Sequence, residues 1–225
     1  MAAPVYYHET IDVTPVREKE VEYLRSLGEV VTKIVNTPAS EMRNYGKWVL
    51  VWATGRWPQV VGQWEMASWD WFAKHFEVFS LEVDHPEGFE QYRSGGFDRL
   101  LVPYEGTPSL DEVVEHGVRA PYVLQETVTT AVGRAGEYLE ALARAGARVT
   151  AADNGVRLHG CYNVMLRNDS EVLVQWAVDD VATFTSTMHS PEEFPALTAW
   201  RQEAAELERS HAGVLLKPTS WSPLR

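Results

Sequence analysis

Two stretches of the chain share one layout: Val60-Val61-Gly62-Gln63-Trp64 and, 112 residues later, Val172-Leu173-Val174-Gln175-Trp176. Further matches occur in the same order in both halves. They are Glu9-Thr10 with Glu126-Thr127, Glu22-Tyr23-Leu24 with Glu137-Tyr138-Leu139, His85–Phe89 with His189–Phe194, and Leu100–Pro103 with Leu215–Pro218. Chance does not readily produce five collinear matches, so the sequence predicts an internally duplicated chain.

The apolar pattern of each half predicts the order strand, helix, strand, strand, helix, strand. In the first half, strands are expected at Val5–Val13, Lys47–Thr54, Gln59–Met66 and Arg99–Tyr104. Thr14 is expected to cap the first helix with Pro15 as its first residue, and Ser68 is expected to cap the second. This order is the split βαβ arrangement of a ferredoxin-like fold.

The second half repeats the order. Its predicted strands are Tyr122–Thr129, Leu158–Leu166, Glu171–Val178 and Val214–Lys217, and its predicted helices are Val132–Ala145 ending at Gly146, a segment capped by Asp180, and Glu192–Arg209. The fold class is therefore α+β, with a first half at 1–105, a linker at 106–120 and a second half at 121–225. The linker is expected to hold a short helix between Ser109 and His116.

Composition limits the partners and the compartment. The chain has 225 residues and a net charge of −12, with 20 basic side chains scattered among 32 acidic ones. Nucleic acid and membrane are therefore not expected partners. No apolar run approaches the ~20 residues that a membrane span needs. Cys161 is the only cysteine and no secretory signal is recognisable, so a cytoplasmic location is expected.

The strand Val60–Met66, the Ser68 cap followed by Trp69 and Trp71, and the opening strand around Tyr7-His8-Glu9-Thr10 resemble the dimeric α/β-barrel superfamily, and within it the NIPSNAP-type proteins. The resemblance implies two ferredoxin-like sheets packed face to face, here within one chain as a pseudo-dimeric α/β barrel. It also implies pockets between sheet and helices. The superfamily includes cofactor-free oxygenases, isomerases, polyketide cyclases and heme enzymes.

Tryptophan is concentrated in the first half. Six of the nine lie between positions 48 and 71, whereas the matching part of the second half keeps only Trp176. This asymmetry predicts a wide aromatic cavity that binds substrate through Trp48, Trp52, Trp69, Trp71 and Phe72. The alternative is that the rings fill the core, which is favoured for Trp64 because Trp176 repeats it.

His8 is the first candidate catalytic residue. Its imidazole titrates near neutrality, which suits acid–base catalysis, and Gln125 replaces it in the second half. The polyketide cyclases of the superfamily place a histidine on the first strand and a tyrosine on the first helix, which implies Tyr23 as a companion. Tyr138 repeats Tyr23, however, and this favours a packing role. A hydrogen-bonded core histidine is the alternative for His8.

Two further side chains are catalytic candidates. Glu65 is replaced by Ala177 in the second half. It is interpreted either as a catalytic base with a raised pKa or as an exposed residue at the end of a strand. His75 lies four residues after Trp71 on one helix face, where it lines the cavity or faces solvent. Glu9 and Glu126 share a position and are interpreted as architectural hydrogen-bonding or ion-pair residues.

Metal and cofactor motifs are lacking. The histidines do not form a close His-x-x-x-His pattern, and no Gly-rich phosphate loop follows a convincing strand. We therefore expect neither metal nor cofactor. A heme protein is a weaker alternative, with His159, His189 or His211 as the axial ligand.

These patterns favour a cofactor-independent enzyme that performs cyclisation, isomerisation or elimination on an aromatic or polyketide-like small molecule. The alternatives are a cofactor-free monooxygenase and a non-catalytic, NIPSNAP-like ligand-binding protein. A homodimer through edge strands or apolar helix faces is a further expectation.

Overall fold

Eight antiparallel strands close into one barrel in the order β1-β3-β2-β8-β5-β7-β6-β4. The computed structural model describes residues 4–32, 41–75 and 90–225. The strands are β1 Val5–Val13, β2 Met42–Leu50, β3 Gln59–Met66, β4 Arg93–Pro103, β5 Tyr122–Thr130, β6 Val156–Val164, β7 Glu171–Val178 and β8 Glu208–Pro218. The helices are α1 Arg17–Val30, α2 Trp69–His75, α3 Leu110–Glu115, α4 Ala135–Ala151, α5 Val181–His189 and α6 Pro195–Ala204.

Each half contributes a four-stranded sheet with the ferredoxin-like order, β4-β1-β3-β2 in the first and β8-β5-β7-β6 in the second. The sheets join where β2 meets β8 and where β4 meets β6. The predicted α+β class with two ferredoxin-like halves forming a pseudo-dimeric barrel is confirmed.

The two sheets also share their register, so each position in one has an equivalent in the other. His8 faces Gln63 across the β1–β3 ladder, and Gln125 faces Gln175 across the β5–β7 ladder. Each second strand carries a bulge at the same place, and the bulged residues are Tyr45 and His159. These equivalences allow the halves to be compared residue by residue.

Among the described residues, three apolar clusters form the core. One fills the barrel, where Tyr6, Tyr45, Trp48 and Tyr162 have no exposed surface. Another lies between the first sheet and α1, and the third lies between the second sheet and its helices. Each sheet therefore has an inward face toward the barrel axis and an outward face toward its helices.

Several predicted strand bounds are wrong for identifiable reasons. β2 begins at Met42 and ends at Leu50, because its first residues are mostly polar or glycine and include the bulge at Tyr45, whereas the prediction followed the Trp- and Val-rich stretch from Lys47. β4 begins at Arg93 and β8 at Glu208, each well before the predicted start. Their first halves are largely exposed and carry mostly polar or glycine residues, so no apolar pattern marks them.

Two helix termini also differ from prediction. α1 begins at Arg17 with Val16 as its uncapped N-cap residue, and the Thr14 hydroxyl donates to the Gln91 carbonyl instead. α4 continues through Gly146 because this glycine packs directly against Leu158, where a Cβ would overlap the leucine side chain.

The predicted helix Glu192–Arg209 is shorter in the structure. A 3-10 turn at Pro191–Glu193 precedes α6, which ends at Ala204. Other predictions are confirmed: Asp180 caps α5, the Ser68 hydroxyl accepts the Trp71 N–H, and Ser109 forms a capping box on α3. The loop His85–Phe89 lies outside the described residues.

Candidate functional site

A group of ionisable and aromatic side chains lies on the outward face of the first sheet, beside α1. We call it the Lys47 cluster. Its members are Tyr7 and Glu9 on β1, Tyr23 on α1, Lys47 on β2, Trp64 on β3, and Arg93 and Asp98 on β4. The outward positions of β1 carry Tyr7 and Glu9 because residues alternate along a strand, and the ladder then aligns Asp98 with Glu9.

The Lys47–Glu9 ion pair forms the floor of the cluster. Lys47 has no exposed surface, and its ammonium donates to Glu9 Oε1. The Trp64 indole N–H donates to the same oxygen at 2.9 Å, and its ring lies 4.6 Å from Lys47 Nζ. A Cβ on Gly62 would overlap both Lys47 Nζ and Glu9 Oε1, so only glycine leaves room for the pair.

Burial and charge compete at this pair. Burial lowers the pKa of Lys47, and the Glu9 carboxylate opposes that shift. Burial alone would raise the pKa of Glu9, but the Lys47 charge and the bonds from Lys47 and Trp64 leave that pKa lowered. A buried ion pair costs desolvation energy, so it is weak evidence of a role in stability.

The rim of the cluster is open to solvent. Asp98 and Arg93 are both exposed on β4. Partial desolvation of the Asp98 carboxyl by its neighbours and the Glu9 charge raise the pKa of Asp98, against a hydrogen bond from the Tyr7 hydroxyl and the Arg93 charge, which lower it. Arg93 Nη2 donates to the Tyr23 hydroxyl at 3.2 Å. The rim therefore presents a carboxylate of raised basicity and, further along the same strand, a guanidinium, which suits proton abstraction with stabilisation of the resulting anion.

The equivalent positions of the second sheet carry a different set. Glu126, Tyr138 and Trp176 repeat their first-half counterparts, and the Trp176 indole N–H donates to Glu126 Oε2 at 2.8 Å. The remaining equivalents, read from the strand ladders, are Leu124 for Tyr7, Cys161 for Lys47, Val174 for Gly62, Glu208 for Arg93 and Gly213 for Asp98. Only the first half therefore combines a buried lysine with an exposed carboxylate and arginine.

A histidine supplies the cation in the second half. His211 Nε2 lies 3.2 Å from Glu126 Oε1, and its Nδ1 lies 3.2 Å from Glu208 Oε2. These two hydrogen bonds raise the pKa of His211 to about 10. The Tyr138 hydroxyl completes the group by donating to Glu208 Oε1 at 3.1 Å. The group holds β8 to β5 and α4.

His8 lies inside the barrel and has no exposed surface. Its Nε2 lies 3.0 Å from Gln125 Oε1, and Gln175 Nε2 links Gln125 to Gln63 at 3.3 and 2.9 Å. Gln63 Nε2 in turn donates to the Tyr162 hydroxyl at 2.8 Å. Burial, aided by the Arg99 charge, lowers the pKa of His8 to about 4, so the imidazole is neutral at pH 7.

Glu65 is also inside the barrel, near one end, and is only 3% exposed rather than at an exposed strand end. It accepts the Tyr6 hydroxyl at 2.9 Å and the Leu110 backbone N–H at 2.7 Å, and it pairs with Arg43. His8 and Glu65 thus share the barrel interior, whereas Tyr23 lies on the other side of the sheet. The structure does not bring Tyr23 to His8.

The predicted aromatic substrate-binding residues do not converge on one cavity. Trp48 is buried inside the barrel, and Trp52 is 81% exposed in the turn after β2. Trp69 and Phe72 pack edge to face at 5.8 Å on α2, which also carries Trp71. His75 ends α2, and its side chain lies outside the described residues. Ligand binding by the α2 residues stays a prediction.

The three histidines named as axial heme ligands lie in different surroundings, and heme ligation stays a prediction. His159 Nε2 lies 3.0 Å from the Tyr45 hydroxyl inside the barrel, both ring nitrogens of His211 face carboxylates, and His189 is exposed at the end of α5. In the part of the chain that the structure describes, no three His, Cys, Asp or Glu side chains are grouped to hold a metal ion.

A groove of about 520 Å³ lies on another face of α1, between Leu24, Gly28 and Trp221. It contains no member of the Lys47 cluster. No helix within residues 4–32, 41–75 and 90–225 is long and apolar enough to cross a membrane.

The sequence patterns did not single out Lys47, Arg93 and Asp98, which belong to the Lys47 cluster. The available signal was the internal comparison: Lys47 and Gly62 change together to Cys161 and Val174 in the second half. The equivalence of Lys47 with Cys161 follows from the bulge in β2, and the sequence alone does not reveal this bulge.

No protein-family model and no curated protein matches the chain. Solved structures share its fold. A proposed monooxygenase from Lactobacillus acidophilus NCFM has a TM-score of 0.64 at 11% identity, over 96% of this chain and 94% of that one. An anthrone oxidase-like protein gives 0.64 at 11% identity, over 96% and 91%.

Chlorite dismutase from Candidatus Nitrospira defluvii gives a TM-score of 0.57 at 9% identity, over 98% of this chain and 92% of that chain. Identities this low show the fold alone. The chain therefore has the dimeric α+β-barrel fold that these proteins share.

Proposed function

We propose that the protein is an enzyme that removes a proton from an acidic small molecule bound at the Lys47 cluster. The observation that carries this proposal is the difference between the two outward faces. The first buries Lys47 and exposes Asp98 and Arg93, whereas the second places Cys161, Gly213 and Glu208 at the equivalent positions. If these residues served only to support the fold, either set of side chains would be sufficient.

The charges of the cluster suit anion formation. At neutral pH, Glu9 and Asp98 balance Lys47 and Arg93. When a substrate C–H or O–H gives its proton to an Asp98 oxygen, the bonding electrons remain on the substrate as an enolate or phenolate. The cluster then carries one net positive charge, and the Arg93 guanidinium is placed to pair with the substrate oxygen.

The substrate class follows from the same surfaces. The half-buried Tyr7 provides aromatic surface beside the rim, and Arg93 favours an oxyanion, so a phenol or an enolisable aromatic ketone is the expected substrate. Cyclisation, isomerisation and elimination can all start from such an anion. The reaction as proposed uses only side chains of the chain.

Oxygenation is the second candidate, and the structural likeness to a proposed monooxygenase and to an anthrone oxidase-like protein favours it. An electron-rich carbanion can reduce O2 directly. The balanced reaction converts a substrate CH2 group and O2 into a C=O group and water. Proton removal by Asp98 comes first in this reaction too.

A non-catalytic, NIPSNAP-like ligand-binding protein that arose by internal duplication is the remaining alternative. The shared strand order and register of the halves support the duplication. A cytoplasmic location also stays a proposal, supported by the single cysteine.

Hydrogen–deuterium exchange tests proton abstraction directly. Anthrone and 2′-hydroxyacetophenone are incubated with the protein in D2O, and loss of the acidic C–H signal is followed by proton NMR. We expect catalysed exchange that falls about 100-fold in Asp98→Asn, within the range of a lost general base. Exchange no faster than in buffer, or unchanged in Asp98→Asn, would contradict the proposal.

The same probes separate the two candidate reactions. Under air, an oxygenase consumes one O2 per substrate, measured with an oxygen electrode. Without O2, an oxygenase still catalyses exchange but forms no product, whereas an isomerase or cyclase forms product in both atmospheres.

A further inference from the structure

The Tyr7 side chain reaches the carboxylate that the proposed site uses as its base. Tyr7 lies on the outward face of β1, two residues before Glu9, and Asp98 is the ladder partner of Glu9 on β4. Tyr7 and Asp98 are therefore diagonal neighbours on one face of the sheet, about 7–8 Å apart, a distance that a tyrosine side chain spans. The Tyr7 hydroxyl donates a hydrogen bond to the Asp98 carboxylate.

The second sheet has the same two positions without this bond. Leu124 is equivalent to Tyr7, and Gly213 is equivalent to Asp98. A Cβ on Gly213 would lie 3.5 Å from Leu124 Cδ1, so side chains at these two positions can touch. The hydroxyl and the carboxylate thus occur together in the first sheet and are both replaced in the second.

The pairing of the strands does not require the bond. β1 pairs with β4 from Tyr6 to Val13, and β5 pairs with β8 over the equivalent length although Leu124 and Gly213 stand at the two positions. Asp98 is exposed, so water can also hydrogen-bond its carboxylate and the Tyr7 bond adds little to stability. An effect on Asp98 itself explains the hydroxyl better than a structural role does.

Charged groups from three strands surround Asp98. Glu9 lies opposite it on β1, Lys47 reaches Glu9 from β2, and Arg93 lies on β4. Partial desolvation and the Glu9 charge raise the pKa of Asp98, whereas the Tyr7 hydroxyl, Arg93 and Lys47 lower it. The Tyr7 bond is the largest of the effects that lower this pKa, so it keeps the carboxylate ionised against its surroundings.

The Tyr7 phenol itself remains a hydrogen-bond donor. Desolvation and the charges of Glu9 and Asp98 raise its pKa, so the hydroxyl keeps its proton throughout the pH range in which a carboxylate titrates. A carboxylate has two oxygens, and one can accept this hydrogen bond while the other accepts the substrate proton. The hydroxyl therefore acts on the reaction through Asp98.

We propose that the Tyr7 hydroxyl is a positioning group for Asp98, which orients the carboxylate and keeps it ionised in mildly acidic as well as neutral solution. This role rests on the proposed function, in which Asp98 takes the substrate proton. The ring of Tyr7 has a separate task, because it supplies aromatic surface to the substrate whether or not it carries a hydroxyl.

The variant Tyr7→Phe separates the two tasks, because it keeps the ring and removes the hydroxyl. The titration of Asp98 is followed by NMR of protein labelled with carbon-13 aspartate, and the Asp98 signal is identified by its loss in Asp98→Asn. We expect Asp98 to titrate at higher pH in Tyr7→Phe than in wild type, because a bond to its charged form is lost. An unchanged titration would overturn the inference.

Deuterium exchange of anthrone, measured against pH, gives the kinetic readout. The acid limb of the profile should move to higher pH in Tyr7→Phe, with exchange at its acid end about 10-fold slower, as expected for the loss of one hydrogen bond to a charged group. KM for anthrone should stay within about twofold because the ring remains. A higher KM with an unmoved acid limb would assign the hydroxyl to substrate binding and contradict the positioning role.

Tyr138→Phe is the matched control. The Tyr138 hydroxyl also donates to a carboxylate, Glu208 Oε1 at 3.1 Å, but in the second half of the chain. This variant should leave the Asp98 titration and the acid limb unchanged. Shifts as large as those of Tyr7→Phe would show a general effect of losing a buried hydroxyl, which would also count against the inference.

Failure of the proposed function gives a different pattern from failure of the positioning role. If wild type does not accelerate exchange, Asp98 is not a base for this substrate, and the role of Tyr7 in the reaction falls with the proposed function. If wild type accelerates exchange and Asp98 titrates alike in wild type and Tyr7→Phe, the proposed function stands and the positioning role alone is wrong.

Discussion

Lys47 and Gly62 are direct partners in the β2–β3 ladder, and the Lys47 ammonium occupies the space that a Cβ on residue 62 would need. The equivalent partners in the second sheet are Cys161 and Val174. The two halves therefore fill the same space differently. In the first half the Lys47 ammonium lies over Gly62, and in the second half Cys161 and Val174 occupy the equivalent positions. This relationship links the fold to the proposed site.

The Gly62→Val substitution should destabilise the protein. The valine would displace the Lys47 ammonium from Glu9 and leave two charges buried without their partners, at a cost of about 3 kcal/mol. The free energy of unfolding in urea measures the effect.

The double variant Lys47→Cys with Gly62→Val places the second-half residues at these two positions and is the matched control. It should recover only part of the lost stability, because the valine then fills the space of the lysine but Glu9 stays buried without a cation, since Gly96 stands where His211 pairs with Glu126 in the second half. A Gly62→Val single variant as stable as wild type would show that the ion pair does not fill this space.

Acid should destabilise the fold through His8. The pKa of this imidazole is lowered to about 4 in the folded protein from 6.5 when unfolded, so the unfolded state binds the proton first. Stability is lost as pH falls from 6.5 toward 4, by about 3 kcal/mol for a shift of this size. Urea unfolding at pH 7 and pH 4.5 measures it.

His8→Gln places the second-half residue in the barrel and is the control for that measurement. Its acid dependence should shrink, although His159 has a pKa that burial also lowers to about 4 and should retain its own share. An acid dependence identical to that of wild type would mean that His8 is not buried in its neutral form.

Alkali should act through His211, in the opposite sense. Its pKa is raised to about 10 by the bonds to Glu126 and Glu208, so its contribution is complete below pH 6.5 and disappears as pH rises through 10. Melting temperatures between pH 7 and 10.5 should therefore fall more steeply for wild type than for His211→Gln. If the melting temperatures of the two proteins fell equally with pH, the ion pairs of His211 with Glu126 and Glu208 would be contradicted.

The fold could be predicted from sequence because the Gln63-Trp64 and Gln175-Trp176 strands carry continuous apolar runs. Each tryptophan donates its indole N–H to a glutamate, Glu9 or Glu126, that the sequence comparison identified as architectural. This part of the prediction is confirmed.

The candidate site was harder to predict because its residues follow no sequence pattern. Arg93 and Asp98 lie on an exposed strand segment where polar and glycine residues look like a loop. Trp52 belonged to the predicted cavity, but β2 ends at Leu50 and leaves Trp52 in a turn. His8 lies at the centre of the barrel. The alternation of residues along a strand shows which of them share a face, but it does not show whether a second sheet covers that face, so the burial of His8 could not be predicted.

Deuterium exchange of anthrone by the Lys47→Cys/Gly62→Val variant tests the central claim most directly, because the variant gives the first sheet the residues that the second sheet already tolerates. If the Lys47 cluster is the site, wild type accelerates exchange, and the folded variant loses at least about 10-fold of that acceleration together with the cation it removes. A folded variant that exchanges anthrone as fast as wild type would show that Lys47 is scaffold and takes no part in the reaction.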